Sequence, residues 1–115
     1  MAFVEHFEIP STDIARAQSF YKEVLEFDYE PWADDMGMLM QPDKKGINGD
    51  LHTGGAIAHP TVVFTVDNIE ETVARAVANG GSQLGEIQPL TETSRWVYIK
   101  DSEGNVIGLY DDSEE

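Results

Sequence analysis

Two βαβββ modules in one chain, an α+β arrangement forming an open, curved eight-stranded mixed sheet around a cleft, are expected from three features. A strand–acid–helix passage occurs twice, from Ile9 to Lys22 and again from Thr65 to Gly81. After each helix the apolar residues stop recurring at helical spacing and fall into three short strand-like runs. A glycine-bearing linker, Thr53 to Pro60 with Gly54 and Gly55, separates the two halves. The whole chain, 1–115, is then one domain. Its first module covers about 1–53, its second about 61–111, and an acidic tail covers 111–115.

The first module opens with alternation over Phe3 to Ile9. Phe3, Glu5, Phe7 and Ile9 share one strand face, and Val4, His6 and Glu8 share the other. Glu5 is the misfit on the apolar face. Pro10-Ser11-Thr12 ends the strand, and a helix is expected from Asp13 to Leu25, with Ser11 or Thr12 as N-cap. Asp13 is favourable beside the positive helix end. Ile14, Ala17, Phe20, Tyr21, Val24 and Leu25 form its apolar stripe, which assigns the two aromatics to core packing. Strands follow at Phe27–Ala33, Gly37–Gln41 and Ile47–His52, with turns at Asp34-Asp35 and Pro42 to Gly46.

The second module repeats the plan. Thr61–Val66 is a strand with Val62, Phe64 and Val66 on one face and Thr61, Val63 and Thr65 on the other. Ile69, Thr72, Val73, Ala76 and Val77 make the helical stripe, and Asn79-Gly80-Gly81 stops the helix in a left-handed turn. Gln83–Leu90, Arg95–Lys100 and Val106–Tyr110 are strands, the last two joined by the turn Asp101 to Asn105. Ile107 and Leu109 point to the helix, whereas Val106, Gly108 and Tyr110 point the other way. One helix covers one face of each four-stranded half. The uncovered faces then enclose a cleft, a natural small-ligand site.

Charge and composition exclude several partners. Seven basic residues against 22 acidic ones give −15, which repels nucleic acid and anionic membranes. No apolar run reaches the roughly 20 residues of a membrane span. Glu5, His6 and Glu8 interrupt any signal-like segment at the start of the chain. The absence of cysteine removes disulfides and thiolate ligands. A cytoplasmic location is the expectation. The acidity fits a solubilising or salt-adapted surface, a cationic ligand, or a basic protein partner.

The order of elements, His6 through Asp13 to Phe20-Tyr21, Val66-Asp67 with its helix and Asn79-Gly80-Gly81, and the closing Asp101 to Leu109 segment carry a resemblance over essentially the whole chain. The sequence resembles the vicinal oxygen chelate superfamily of glyoxalase I, bleomycin-resistance proteins and extradiol dioxygenases. Ser102 replaces the proline of that family's Asp-Pro-Asp/Glu-Gly-Asn turn. The resemblance implies four metal ligands, one on the first and one on the last strand of each module. His6 matches the first position, Asp50 overlays the second, Thr61 stands at the third and Gly108 at the fourth, where glutamate is typical. Threonine is a poor ligand and glycine none, so the four-ligand site is incomplete. The remaining metal candidates are His6, Asp50 and His52, a two-imidazole, one-carboxylate set suited to Fe, Mn, Ni or Zn. Against this, His52 and His59 also read as surface loop residues, and His6 as a hydrogen-bonded cavity residue.

No nucleophile elbow, no serine with a histidine–aspartate partnership and no phosphate-cradling glycine loop is present. The ligand-binding candidates are His6, Glu8, Trp32, Met38, Met40, Val63, Trp96, Tyr98 and Tyr110. Aromatic and methionine walls with carboxylates suit a flat or cationic molecule. The leading expectation is a small-molecule-binding protein of the glyoxalase/bleomycin-resistance type, sequestering an aromatic or cationic ligand without a complete metal site. The alternative is a metal-dependent lyase, isomerase or dioxygenase using His6, Asp50 and His52. By resemblance the protein is a homodimer.

Overall fold

The computed structural model describes residues 2–43 and 45–113. Its elements are β1 (Phe3–Ser11), α1 (Ile14–Leu25), β2 (Asp28–Ala33), β3 (Met36–Met40), β4 (Gly49–Thr53), β5 (Thr61–Thr65), α2 (Ile69–Ala78), β6 (Ser82–Pro89), β7 (Ser94–Lys100) and β8 (Val106–Asp112). This is the βαβββ order, twice. The strands hydrogen-bond in the order β2-β3-β4-β1-β5-β8-β7-β6, an eight-stranded mixed sheet with β2 and β6 at its edges. β1 runs parallel to β4 and β5 parallel to β8, and the remaining recorded pairs, β2/β3, β3/β4, β6/β7 and β7/β8, are antiparallel.

The chain divides into two compact units. One comprises His6–Thr61, and the other takes the chain up to Glu5 together with everything from Val62 onward. In the second of these, α2 packs on β6, β7 and β8. Val66, Ile69, Val73, Val97, Ile99 and Leu109 form its buried core, with Phe64 and Ile107 against them. The helix-side alternation expected for Ile107 and Leu109 is therefore the one the chain adopts. Asn68 caps α2, its side-chain oxygen accepting from the Glu71 amide at 3.0 Å. Gly80, with φ +95, turns the chain out of the helix, and the Gly81 amide donates to the Ala76 carbonyl at 2.8 Å. Glu5 also has its place here: Thr65 donates its hydroxyl to the Glu5 carboxylate at 2.8 Å, so the residue that broke the apolar alternation has a specific acceptor role.

In the His6–Thr61 unit, α1 packs on β2, β3 and β4. Leu39 and Leu51 are fully buried on the helix side, and Phe7 and Phe27 meet edge-to-face at 6.2 Å. Gly49 lies directly under the Phe7 ring, and Gly37 under the Tyr29 ring, where any Cβ would collide.

Three expectations are corrected. Asp13, not Ser11 or Thr12, is the N-cap of α1: its backbone is extended and its Oδ1 accepts from the Arg16 amide at 3.0 Å. β1 runs on through Pro10 and Ser11 beside β4, which leaves those residues in the ladder rather than at the cap. The aromatic stripe of α1 is not a sealed core. The helix has no buried residue, and Phe20 is 55% exposed, edge-on to Tyr21 at 5.3 Å. Ile14, Ala17 and Tyr21 lie at i, i+3 and i+7 and take the sheet-facing line, which puts Phe20 and Val24 on a line rotated outward. Finally, Asp111 and Asp112 are not tail but the last residues of β8, and Asp111 is buried. Glu114 and Glu115 lie outside the described residues.

Candidate functional site

The polar face of the His6–Thr61 unit is built by register. Residues paired across neighbouring strands point to the same side of a sheet. Glu30 pairs with Met38, Met38 with Asp50, and Asp50 with Glu8. These four make one row across β2, β3, β4 and β1, carrying three carboxyl groups and a thioether. Met36, His52 and Pro10 make the next row. His6 stands on the same side of β1 as Glu8, two residues away. The register therefore brings His6, Glu8, Asp50, His52 and Met38 to one face.

Two imidazole–carboxylate pairs occupy that face. His52 Nδ1 and Asp50 Oδ1 are 2.8 Å apart, with side chains only 18% and 8% exposed. His6 Nε2 and Glu8 Oε2 are 3.6 Å apart, a looser ion-pair distance. Burial pushes the Asp50 carboxyl up from its ordinary value, and the neighbouring Glu8 charge adds to the push. The hydrogen bond with His52 and the nearby imidazoles oppose it. The Tyr29 phenol is likewise raised, first by burial and then by Asp35 and Asp50. Met40 pairs with Asp28 farther along β3. Trp32 lies on edge strand β2 at a register shift between Pro31 and Ala33, and is 63% exposed.

The remaining ligand-binding candidates, Val63, Trp96, Tyr98 and Tyr110, belong to the other unit. Val63 pairs with Gly108, Gly108 with Tyr98, and Tyr110 with Trp96. All five lie on the side of the sheet away from α2, as the alternation required. Trp96 and Tyr98 meet edge-to-face at 5.5 Å, and Tyr110 donates its hydroxyl to Asp112 at 3.2 Å. The position of Gly108 is filled by its neighbours. A Cβ there would approach Val63 Cγ2 to 2.9 Å and Tyr98 Cε1 to 3.4 Å. Thr61 is buried and donates its hydroxyl to the His59 carbonyl at 3.3 Å, and the exposed His59 has its ring nitrogen 3.2 Å from the Pro60 carbonyl oxygen.

The donor set does not fit a metal ion. Among the described residues no group of three or more His, Asp or Glu side chains is gathered to hold one. The side chains instead pair off, the Asp50 carboxylate with His52 Nδ1 and His6 Nε2 with Glu8. His6, Asp50 and His52 share a face, with His52 paired to Asp50 and His6 to Glu8.

Glu30 and Met36 complete the two rows and were absent from the sequence-derived candidates. Counting outward from the Asp34-Asp35 turn places Glu30 opposite Met38 only when the register shift near Trp32 is known. Periodicity alone carries no signal for that irregularity.

The sequence model of the Glyoxalase/Bleomycin resistance protein/Dioxygenase superfamily matches residues 4–109. The chain belongs to that superfamily. Among solved structures it is similar to a superfamily member from Vibrio splendidus 12B01, at TM-score 0.71 and 19% identity, covering 97% of this chain and 100% of that one. It is also similar to methylmalonyl-CoA epimerase from Mycobacterium tuberculosis, at TM-score 0.68 and 20% identity over 96% and 87% of the two chains. An extradiol ring-cleaving dioxygenase from B. fuscum matches at TM-score 0.64 and 19% identity, with 95% of this chain covering 32% of that one. No curated protein matches the sequence. Among the described residues no helix is long and apolar enough to cross a membrane.

Proposed function

We propose that the protein binds a small organic cation on the face of β1–β4. The observation that carries this is the row Glu30, Met38, Asp50, Glu8. Three carboxyl groups supply negative potential, and methionines beside them supply adaptable apolar contact for the body of a ligand. Asp50 is the specific acceptor: it is held in place by His52, and its burial means that a cation reaching it exchanges little water-screened charge. The overall charge of −15 steers cations toward the protein and anions away.

The test is a thermal-shift comparison of benzyltrimethylammonium with phenylacetate, an aromatic cation against an aromatic anion. Ligand binding to the folded state raises the melting temperature. Stabilisation by the cation and none by the anion is expected. The stabilisation by the cation should vanish in Glu8→Gln/Asp50→Asn, which leaves Glu30 as the row's one carboxylate. Stabilisation by the anion alone contradicts the reading.

A further inference from the structure

We propose that Asn79 is a site of spontaneous modification, where the folded chain converts its own α2 stop to aspartate and isoaspartate. Asn79 takes no part in the β1–β4 face, so this chemistry stands apart from ligand binding. Its co-reactant is water. The Gly80 amide nitrogen attacks Asn79 Cγ, a ring C–N bond forms, and the Cγ–Nδ2 bond breaks with loss of ammonia. Water then opens the succinimide at either carbonyl. One opening gives aspartate. The other gives isoaspartate, in which the main chain runs through the former side chain. A glycine after the asparagine puts no side chain in the way of the attack and lets the backbone bend to it.

The chain holds two such dipeptides, Asn48-Gly49 and Asn79-Gly80. Their local chemistry is the same, and the fold makes them unequal. Asn48 Oδ1 accepts from the Gln41 amide at 2.8 Å. Gly49 is buried and opens β4, paired with Phe7 of β1 on one side and Leu39 of β3 on the other. Turning the Gly49 nitrogen onto Asn48 Cγ therefore pulls β4 out of its ladder. Asn79 and Gly80 are both exposed, at the very end of α2. The Gly80 amide has only a long hydrogen bond to the Val77 carbonyl, 3.4 Å. A Cβ on Gly80 would meet nothing closer than Ser102 Cβ at 3.7 Å, so the dipeptide turns without displacing packed neighbours. Asn79 Nδ2 donates to the Arg75 carbonyl at 2.8 Å, in the open, and that bond is lost whenever the last turn frays. The firm bond of the stop, from the Gly81 amide to Ala76 at 2.8 Å, lies one residue beyond. The product puts a carboxylate at the negative end of the helix and removes the donor to Arg75, in a chain already at −15. Modification therefore loosens the end of α2.

The test is prolonged incubation of the full chain in mildly alkaline buffer, folded and in urea. Peptides are then mapped by mass spectrometry with fragmentation that tells isoaspartate from aspartate. In urea both dipeptides are expected to convert at comparable rates. In the folded chain Asn79 converts at least about tenfold faster than Asn48, because a frayed helix end opens far more often than a strand in mid-sheet. Isoaspartate is among its products. Asn79→Asp, which carries the product's charge from the outset, melts below the native protein. Equal rates at the two dipeptides in the folded chain, or Asn48 ahead, overturn the proposal. So does an intact Asn79 after the urea sample has converted, or conversion to aspartate alone. An unchanged melting temperature in Asn79→Asp refutes the loosening of α2.

Discussion

Asp50 shows how one residue couples packing to chemistry. It is a carboxyl group at 5% exposure, paired across strands with another acid, Glu8, and hydrogen-bonded to His52. Its folded-state pKa is raised, chiefly by burial. A raised acid contributes stability that is full below its ordinary value of 3.8 and is lost as pH rises through the folded value. Asparagine cannot ionise and keeps an oxygen for the Nδ1 proton. Asp50→Asn should therefore gain in melting temperature relative to the native protein as pH goes from below 3.8 to neutral. Paired melting curves across that range check it, and a difference that shrinks with pH counts against the burial argument. At this scale the sequence was informative where alternation rules: parity pairs His6 with Glu8 on one strand and Asp50 with His52 on another, whereas the register that brings the two pairs to one side of the sheet is visible only in the structure. It was silent on the Asp50–His52 bond, because a 2.8 Å hydrogen bond depends on rotamers rather than on spacing.

At the scale of elements, the clearest device is the end of β8. Asp111 Oδ2 accepts from the Ile69 amide at 2.8 Å, the first residue of α2, and also from Arg95 on β7 at 2.8 Å. Arg95 forks onward to both oxygens of Glu70. The guanidinium lowers the Glu70 pKa, and its own is raised by the two acids. One strand end, one helix start and one neighbouring strand are thus tied by a single carboxylate. Asp111→Ala orphans a buried amide and removes one of the two carboxylates that hold Arg95, and should cost about 1.5–3 kcal/mol. The urea midpoint measures it, with a change under a few tenths of a kcal/mol contradicting the assignment. The sequence hid this because Asp111 heads the acidic run Asp111-Asp112-Ser113-Glu114-Glu115, and such runs at chain ends are usually solvated. Both helices, by contrast, were legible from their stripes, and α2 from its glycine stop as well, while their N-caps, Asp13 and Asn68, were not. The looseness of α1 was not, since a stripe states which side is apolar and not how deeply it is covered.

For the molecule as a whole, the repeated strand–acid–helix passage carried the topology, and the match over residues 4–109 agrees with it. Function was less legible, because one architecture hosts many chemistries and only the site decides among them. The charge of −15 adds a property of the entire chain. Self-repulsion at that charge is screened by salt, so the melting temperature should rise between about 0.01 M and 0.15 M ionic strength, where the Debye length falls from about 30 to 8 Å. A fall over that interval would show that attractive pairs such as Arg95 with Glu70 outweigh the repulsion. The central claim, a cation site on the β1–β4 face, is tested most directly by mapping backbone amide shifts while benzyltrimethylammonium is titrated into the labelled protein. The account predicts that the largest saturable changes fall at Glu8, Met38, Asp50 and His52, and that Glu8→Gln/Asp50→Asn abolishes them. Saturable shifts concentrated instead around Trp96, Tyr98 and Tyr110, or none at all, would contradict it.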